Sequence, residues 1–107
     1  MRLAWLLLVL VASLAQAGPL EVQGVRLWAA PDSTRVVLDV SGPVEHRLFT
    51  LMGPDRLVVD IKNATIETDL IKAKTRGGVV QRLRSAPRNK TDLRQVLDLG
   101  GPVKGKS

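Results

Sequence analysis

One hexapeptide pattern limits this chain more than any other feature, because it is written three times. Residues 35–40 (Arg-Val-Val-Leu-Asp-Val), 56–61 (Arg-Leu-Val-Val-Asp-Ile) and 94–99 (Arg-Gln-Val-Leu-Asp-Leu) all read Arg-x-Val-x-Asp-aliphatic. Along an extended strand, successive side chains face opposite ways. Arg, Val and Asp therefore share one face. Val36/Leu38/Val40, Leu57/Val59/Ile61 and Leu97/Leu99 share the other, which is a core face. Within one strand the Arg and Asp stand roughly 13 Å apart at about 3.3 Å per residue, too far to pair. Two such strands laid antiparallel with their valines opposed set each Arg across from an Asp, whereas parallel in-register pairing stacks like charges. The pattern predicts antiparallel strands with a charged outer face. One copy would be ordinary strand composition, but three exceed chance.

The first and third copies continue alike. Residues 35–44 match 94–103 at Arg, Val, Leu, Asp, Gly, Pro and Val, and an Ala-Pro pair precedes each (Ala30-Pro31 and Ala86-Pro87). A repeat of this kind marks an internal duplication. After Gly42-Pro43-Val44 a further strand follows at 46–51. After Gly101-Pro102-Val103 come only Lys104 to Ser107. The chain is therefore expected to be a fragment, truncated at its last strand, with an unpaired sheet edge.

The start has a different character. Arg2 is followed by an apolar run from Leu3 to Leu14, broken by Ser13, and then Ala15-Gln16-Ala17. A charged start, a short apolar stretch and an A-x-A site describe a cleavable signal peptide over residues 1–17. The run is shorter than the ~20 residues that cross a bilayer, so no membrane span is expected after cleavage. The rest, residues 18–107, is one small domain of about 90 residues, a size that buries only roughly 60–65% of its unfolded surface. It has no cysteine to staple so small a core. In an exported chain that suits a bacterial envelope protein better than a small disulfide-bonded secreted module. Loss of Arg2 lowers the formal charge from +6 to +5.

The remaining segments read mostly as strands. Residues 20–29 alternate from Val25, with Gly24 as a bulge. Turns at 31–33, 41–43 and 53–55 separate strands at 34–40, 44–51 and 56–61. Residues 63–78 break the rhythm, and 68–74 read either as one or two turns of helix or as a structured loop. A strand at 79–84, a basic turn at 86–90 and a strand at 92–99 follow. Short strands at regular spacing predict an all-β fold of antiparallel strands, a sandwich or a barrel, with at most one short helix.

Catalysis finds no support in the residues. A catalytic zinc needs about three protein ligands and an open position, yet the chain has one histidine, His46, and no cysteine. Asp39, Asp60 and Asp98 each follow an Arg by four residues, in a setting that keeps carboxylates ionised rather than acting as acids. No nucleophile elbow, P-loop or dinucleotide fingerprint occurs. Binding remains. Lys72, Lys74, Arg76, Arg82, Arg84, Arg88 and Lys90 fall in one stretch without an acidic residue. Such a patch attracts carboxylates, which Arg grips with two parallel hydrogen bonds; the competing reading is a solvated loop. Trp28, pointing away from Val25 and Leu27, is a candidate for stacking on a sugar ring or for burial. Nucleic acid is disfavoured by the leader and by the scarcity of aromatic residues, Trp28 and Phe49 alone after cleavage.

Taken together, the stretches 25–39, 49–51, 54–60, 82–84 and 94–99 resemble the AMIN domain, and the resemblance covers essentially all of residues 18–107. That module sits at the N-terminus of periplasmic N-acetylmuramoyl-L-alanine amidases, which trim peptidoglycan during cell separation. The resemblance implies a β-sandwich of two related sheets and a periplasmic, non-catalytic role in bringing an amidase to the division septum by touching peptidoglycan. The expected contacts are Arg82, Arg84, Arg88, Lys90 and Trp28. It also implies a zinc cofactor in a following catalytic domain and none in this chain. Division or secretion-system proteins are the other expected partners, because AMIN domains also occur in type IV pilus secretins.

Overall fold

The computed structural model describes residues 4–12, 18–67 and 77–107. Among these residues nine strands form two sheets: β1 (Ala4–Ala12), β2 (Leu20–Ala29), β3 (Ser33–Val40), β4 (His46–Leu51), β5 (Arg56–Ile61), β6 (Ala64–Ile66), β7 (Val80–Arg88), β8 (Asp92–Leu99) and β9 (Val103–Lys106). One sheet runs β6-β2-β3-β1-β9 and the other β4-β5-β8-β7. No helix occurs among the described residues. The short helix or loop expected at 68–74 lies outside them.

The repeated hexapeptides are β3, β5 and β8. As their pattern requires, β5 and β8 pair antiparallel with the valines opposed: Arg56 faces Asp98, Val58 faces Val96 and Asp60 faces Arg94. Their inner residues Leu57, Val59, Ile61, Leu97 and Leu99 meet Val36, Leu38 and Val40 of β3 in one buried cluster, the core of a β-sandwich. The duplication is visible in the backbone. β2 against β3 and β7 against β8 are antiparallel pairs with a register shift at matching places, between Val22 and Gly24 and between Val80 and Arg82. Gly24 sits at the first of these bulges, as its sequence position suggests, and a Cβ there would come within 3.0 Å of Asp39 Oδ2.

Several elements differ from the sequence reading, each for a physical reason. The basic turn expected at 86–90 is shorter: β7 runs on through Pro87 to Arg88, and the chain reverses at Asn89 and Lys90, both at positive φ. β7 is an edge strand, where a missing N–H costs little. Residues 64–66, inside the segment that breaks the strand rhythm, pair parallel with β2 as β6. The valines of the charged face are not exposed. Val58 and Val37 are buried although they point the same way as the Arg and Asp of their strands, because long neighbours lie across them.

The start of the chain also takes part in the fold. Residues 4–12, the apolar run of the expected leader, form β1, inserted between β3 and β9 and parallel to both. An unbroken Leu/Val run reads equally as a leader or as a strand buried in a sheet. Its alternate residues Leu6 and Leu8 join the core, and β1 covers the side of β3 away from β2.

Candidate functional site

The outer face of the β4-β5-β8-β7 sheet carries the densest arrangement of charge. Side chains form rows across the four strands, because residues paired in register share a face. One row reads Arg47, Asp60, Arg94 and Ala86; the next Phe49, Val58, Val96 and Arg84; the third Leu51, Arg56, Asp98 and Arg82. Asp60 is nearly buried (6% exposed). Arg94 grips it with both ends of a fork, Nε to Oδ1 at 2.7 Å and Nη2 to Oδ2 at 2.9 Å. Arg88 approaches the same carboxylate at 3.5 Å. Asp98 accepts hydrogen bonds from Arg82 Nε at 3.0 Å and from Arg84 at 2.8 Å through both Nε and Nη2.

These contacts set the protonation states. The hydrogen bond from Arg94, with help from the charges of Arg88 and Arg47, holds the Asp60 carboxyl below the usual Asp range against the opposing effect of burial. Arg84 does the same for Asp98, seconded by Arg82. The partners Arg84 and Arg94 are pushed up in turn. Phe49 is the register partner of Val58 on β4, and its ring takes the guanidinium groups of Arg47 and Arg94 at 5.1 and 5.6 Å from its centroid. This explains how the face stays charged while its central valine is dry.

Arginine outnumbers carboxylate on this face. Arg47, Arg56, Arg82, Arg84, Arg88 and Arg94 stand over Asp60, Asp92 and Asp98. Each guanidinium has five donors in a fixed fork, so an arginine already on an aspartate keeps donors to offer. The Arg82 side chain is 66% exposed and that of Arg84 45%. Chemically the surface can receive carboxylates or other anions without disturbing the pairs that hold it flat.

The five residues singled out from sequence are not all brought together. Arg82, Arg84 and Arg88 line the outer side of β7. Lys90 is in the turn beyond it and borders a cleft of about 210 Å³ lined by Ala64, Ile66, Pro87 and Leu93. Trp28 belongs to the other sheet; it is half exposed, with Arg26 stacked at 5.5 Å from its ring, beside the Arg26–Asp39 pair. Lys72, Lys74 and Arg76 lie outside the described residues. Sequence reasoning missed Arg47 and Phe49, whose strand alternates only weakly, and it treated Arg94 as strand composition. The signal was present in the repeats: the Asp of one copy and the Arg of another were already predicted to face each other.

His46 is exposed and borders a shallow depression with Glu45, Arg47 and Lys62. Among the described residues no grouping of three or more His, Cys, Asp or Glu side chains could hold a metal ion. No helix among them is long and apolar enough to cross a membrane.

Fold and face together define a duplicated all-β module whose most developed surface is an arginine-rich sheet. The match to the AMIN domain family spans residues 24–107, and the chain belongs to that family. It is 35% identical over 87 residues to the N-acetylmuramoyl-L-alanine amidase AmiC of Neisseria meningitidis serogroup B, covering 78% of this chain and 21% of that protein. It is 36% identical over 66 residues to the AmiC amidase of Escherichia coli O6:H1, covering 62% of this chain and 15% of that protein. The chain thus spans about a fifth or less of the length of these relatives.

Proposed function

We propose that this chain is the non-catalytic targeting module of a periplasmic N-acetylmuramoyl-L-alanine amidase. It is exported on the leader at residues 1–17 and holds the enzyme at the division septum by binding peptidoglycan. Catalysis belongs to a separate zinc-bearing domain of the full protein. One observation carries the binding role: the arginine surplus on the β4-β5-β8-β7 face, which suits the carboxylates of peptidoglycan stem peptides. Family membership and the similarity to two amidases support the parent activity.

The test is retention on purified sacculi of the chain and of an Arg82→Gln/Arg88→Gln variant, with folding of both checked by circular dichroism. These two arginines can go while Arg84 and Arg94 still pair Asp98 and Asp60. Retention should fall at least about tenfold in the variant, and it should weaken with added salt as exposed charge contacts do. Equal, salt-independent retention of a folded variant would refute the role of this face.

A further inference from the structure

Away from the arginine rows, β6 of one sheet meets the turn between β7 and β8 of the other, where the Ala64 N–H donates to Thr91 O at 3.1 Å. The cleft of about 210 Å³ bordered by Lys90 opens at this junction. Of its walls, Ala64 and Leu93 belong to the buried core cluster and Ile66 packs against it. The cleft therefore leads from solvent toward the core between the sheets.

Its size and lining restrict the guest. The volume exceeds the ~30 Å³ share of one water but falls short of the roughly 300 Å³ at which drug-sized ligands are enclosed. A sugar ring asks for a stacking surface and several hydroxyl partners. No aromatic ring lines the cleft among the described residues, and Thr65, Thr91 and Asp92 are already hydrogen-bonded within the chain.

Two polar groups remain to offer. Lys90, the cation of the cleft, has no ion pair or hydrogen bond among the described residues. Ser85 Oγ donates to Gln95 Oε1 at 2.7 Å, and the fully buried Gln95 leaves its Nε2 without a partner among the described residues. A buried N–H in that state is unfavourable. Turned over, the amide donates from Nε2 to Ser85 Oγ, which releases the Ser85 proton for an acceptor standing in the cleft. A carbonyl oxygen at Ser85 thus supplies what the core side lacks.

We propose that this cleft receives the carboxyl-terminal alanines of a peptidoglycan stem peptide. Lys90 pairs the terminal carboxylate, the apolar walls take the two methyl groups, and Ser85, backed by Gln95, donates to the carbonyl oxygen between them. Charge selects the end that enters: a carboxylate meets a free ammonium, whereas an amine meets a like charge. The nearby Asp92 carboxylate is engaged by Asn63 N–H and approached by Arg88 at 3.8 Å. The occupant rests on the peptidoglycan reading above, but the cleft uses none of the arginines that carry that reading.

The experiment titrates N-acetyl-D-alanyl-D-alanine into the whole chain and follows backbone and side-chain amide signals by NMR. Shifts should centre on Ala64, Ile66, Ser85 and Leu93 and include the Gln95 side-chain amide. Lys90 is exposed, so Lys90→Gln keeps the fold, and it should weaken binding at least about fivefold, as should amidation of the peptide carboxylate. Gln95→Leu combined with Ser85→Ala should weaken it about threefold or more while the melting temperature is retained. The L,L peptide, which stands for a protein carboxyl terminus, should bind at least about fivefold more weakly, because contacts at three points fix handedness. No binding, shifts confined to the outer face of the β4-β5-β8-β7 sheet, unchanged affinity in either variant, equal affinity for the L,L peptide, or the same shifts with acetate alone would each overturn the assignment. Undiminished retention on sacculi in any of those cases would leave the arginine face standing and remove the cleft alone.

Discussion

Asp60 shows how much one side chain holds in place. It sits almost out of water under Arg94 and within reach of Arg88. Asp60→Asn leaves Arg94 partly buried without its counter-charge, and we expect a loss of about 2–3 kcal/mol in urea unfolding, at the low end for a broken buried pair because Arg94 is partly solvated. Asp39→Asn, which breaks the more exposed pair with Arg26, should cost under about 1 kcal/mol. The pH response follows from the same contacts. Asp60 and Asp98 bind protons less readily folded than unfolded. Their contribution is therefore complete above the unfolded value of about 3.9 and is lost as pH falls below it toward the folded values. Melting temperatures followed from pH 5 to pH 2 should drop steeply below pH 4 in the native chain and less steeply in Asp60→Asn. Much of this was legible: alternation placed each Arg opposite an Asp. The dryness of Val58 was not, because it depends on Phe49 and Arg47 from a strand whose own pattern is faint.

At the level of strands, the hexapeptides and their turns announced β2, β3, β5 and β8 because their period-2 pattern is strong and Gly or Pro marks their ends, whereas β4 was announced by its flanking turns more than by its alternation. The short β6 and β9 carry too few residues for periodicity to show. β7 was read as ending early because Pro87 signals a turn, and only its place at a sheet edge makes the proline harmless. Gly78 pins the start of β7 to the other sheet. Its φ is +53°, and a Cβ would stand 2.5 Å from the buried Thr34 hydroxyl. Gly78→Ala should cost about 1–3 kcal/mol by thermal or urea unfolding. Gln95 offers the reverse case. It is fully buried on the core side of β8, its Oε1 accepts from Ser85 Oγ at 2.7 Å, and its Nε2 has no partner among the described residues. Gln95→Leu combined with Ser85→Ala removes the orphan donor and its neighbour together, and should leave stability unchanged or raise it by about 1 kcal/mol.

For the molecule as a whole, the internal repeat foretold two related sheets, and it did so without any knowledge of which strand pairs with which. It could not foretell that a leader-like apolar run would lodge in one of them, since such a run carries no register of its own. In the chain that keeps this segment, Leu8→Ala should cost about 2–4 kcal/mol, as for other buried leucines. Among the described residues, the four edge strands of the sandwich are also guarded. β6 has three residues and β9 four, β4 has six, and β7 bears Pro87 and a row of arginines. Short, proline-bearing or charged rims give a neighbouring copy little to zip onto. Copies of the chain can therefore crowd side by side without zipping edge to edge into fibres.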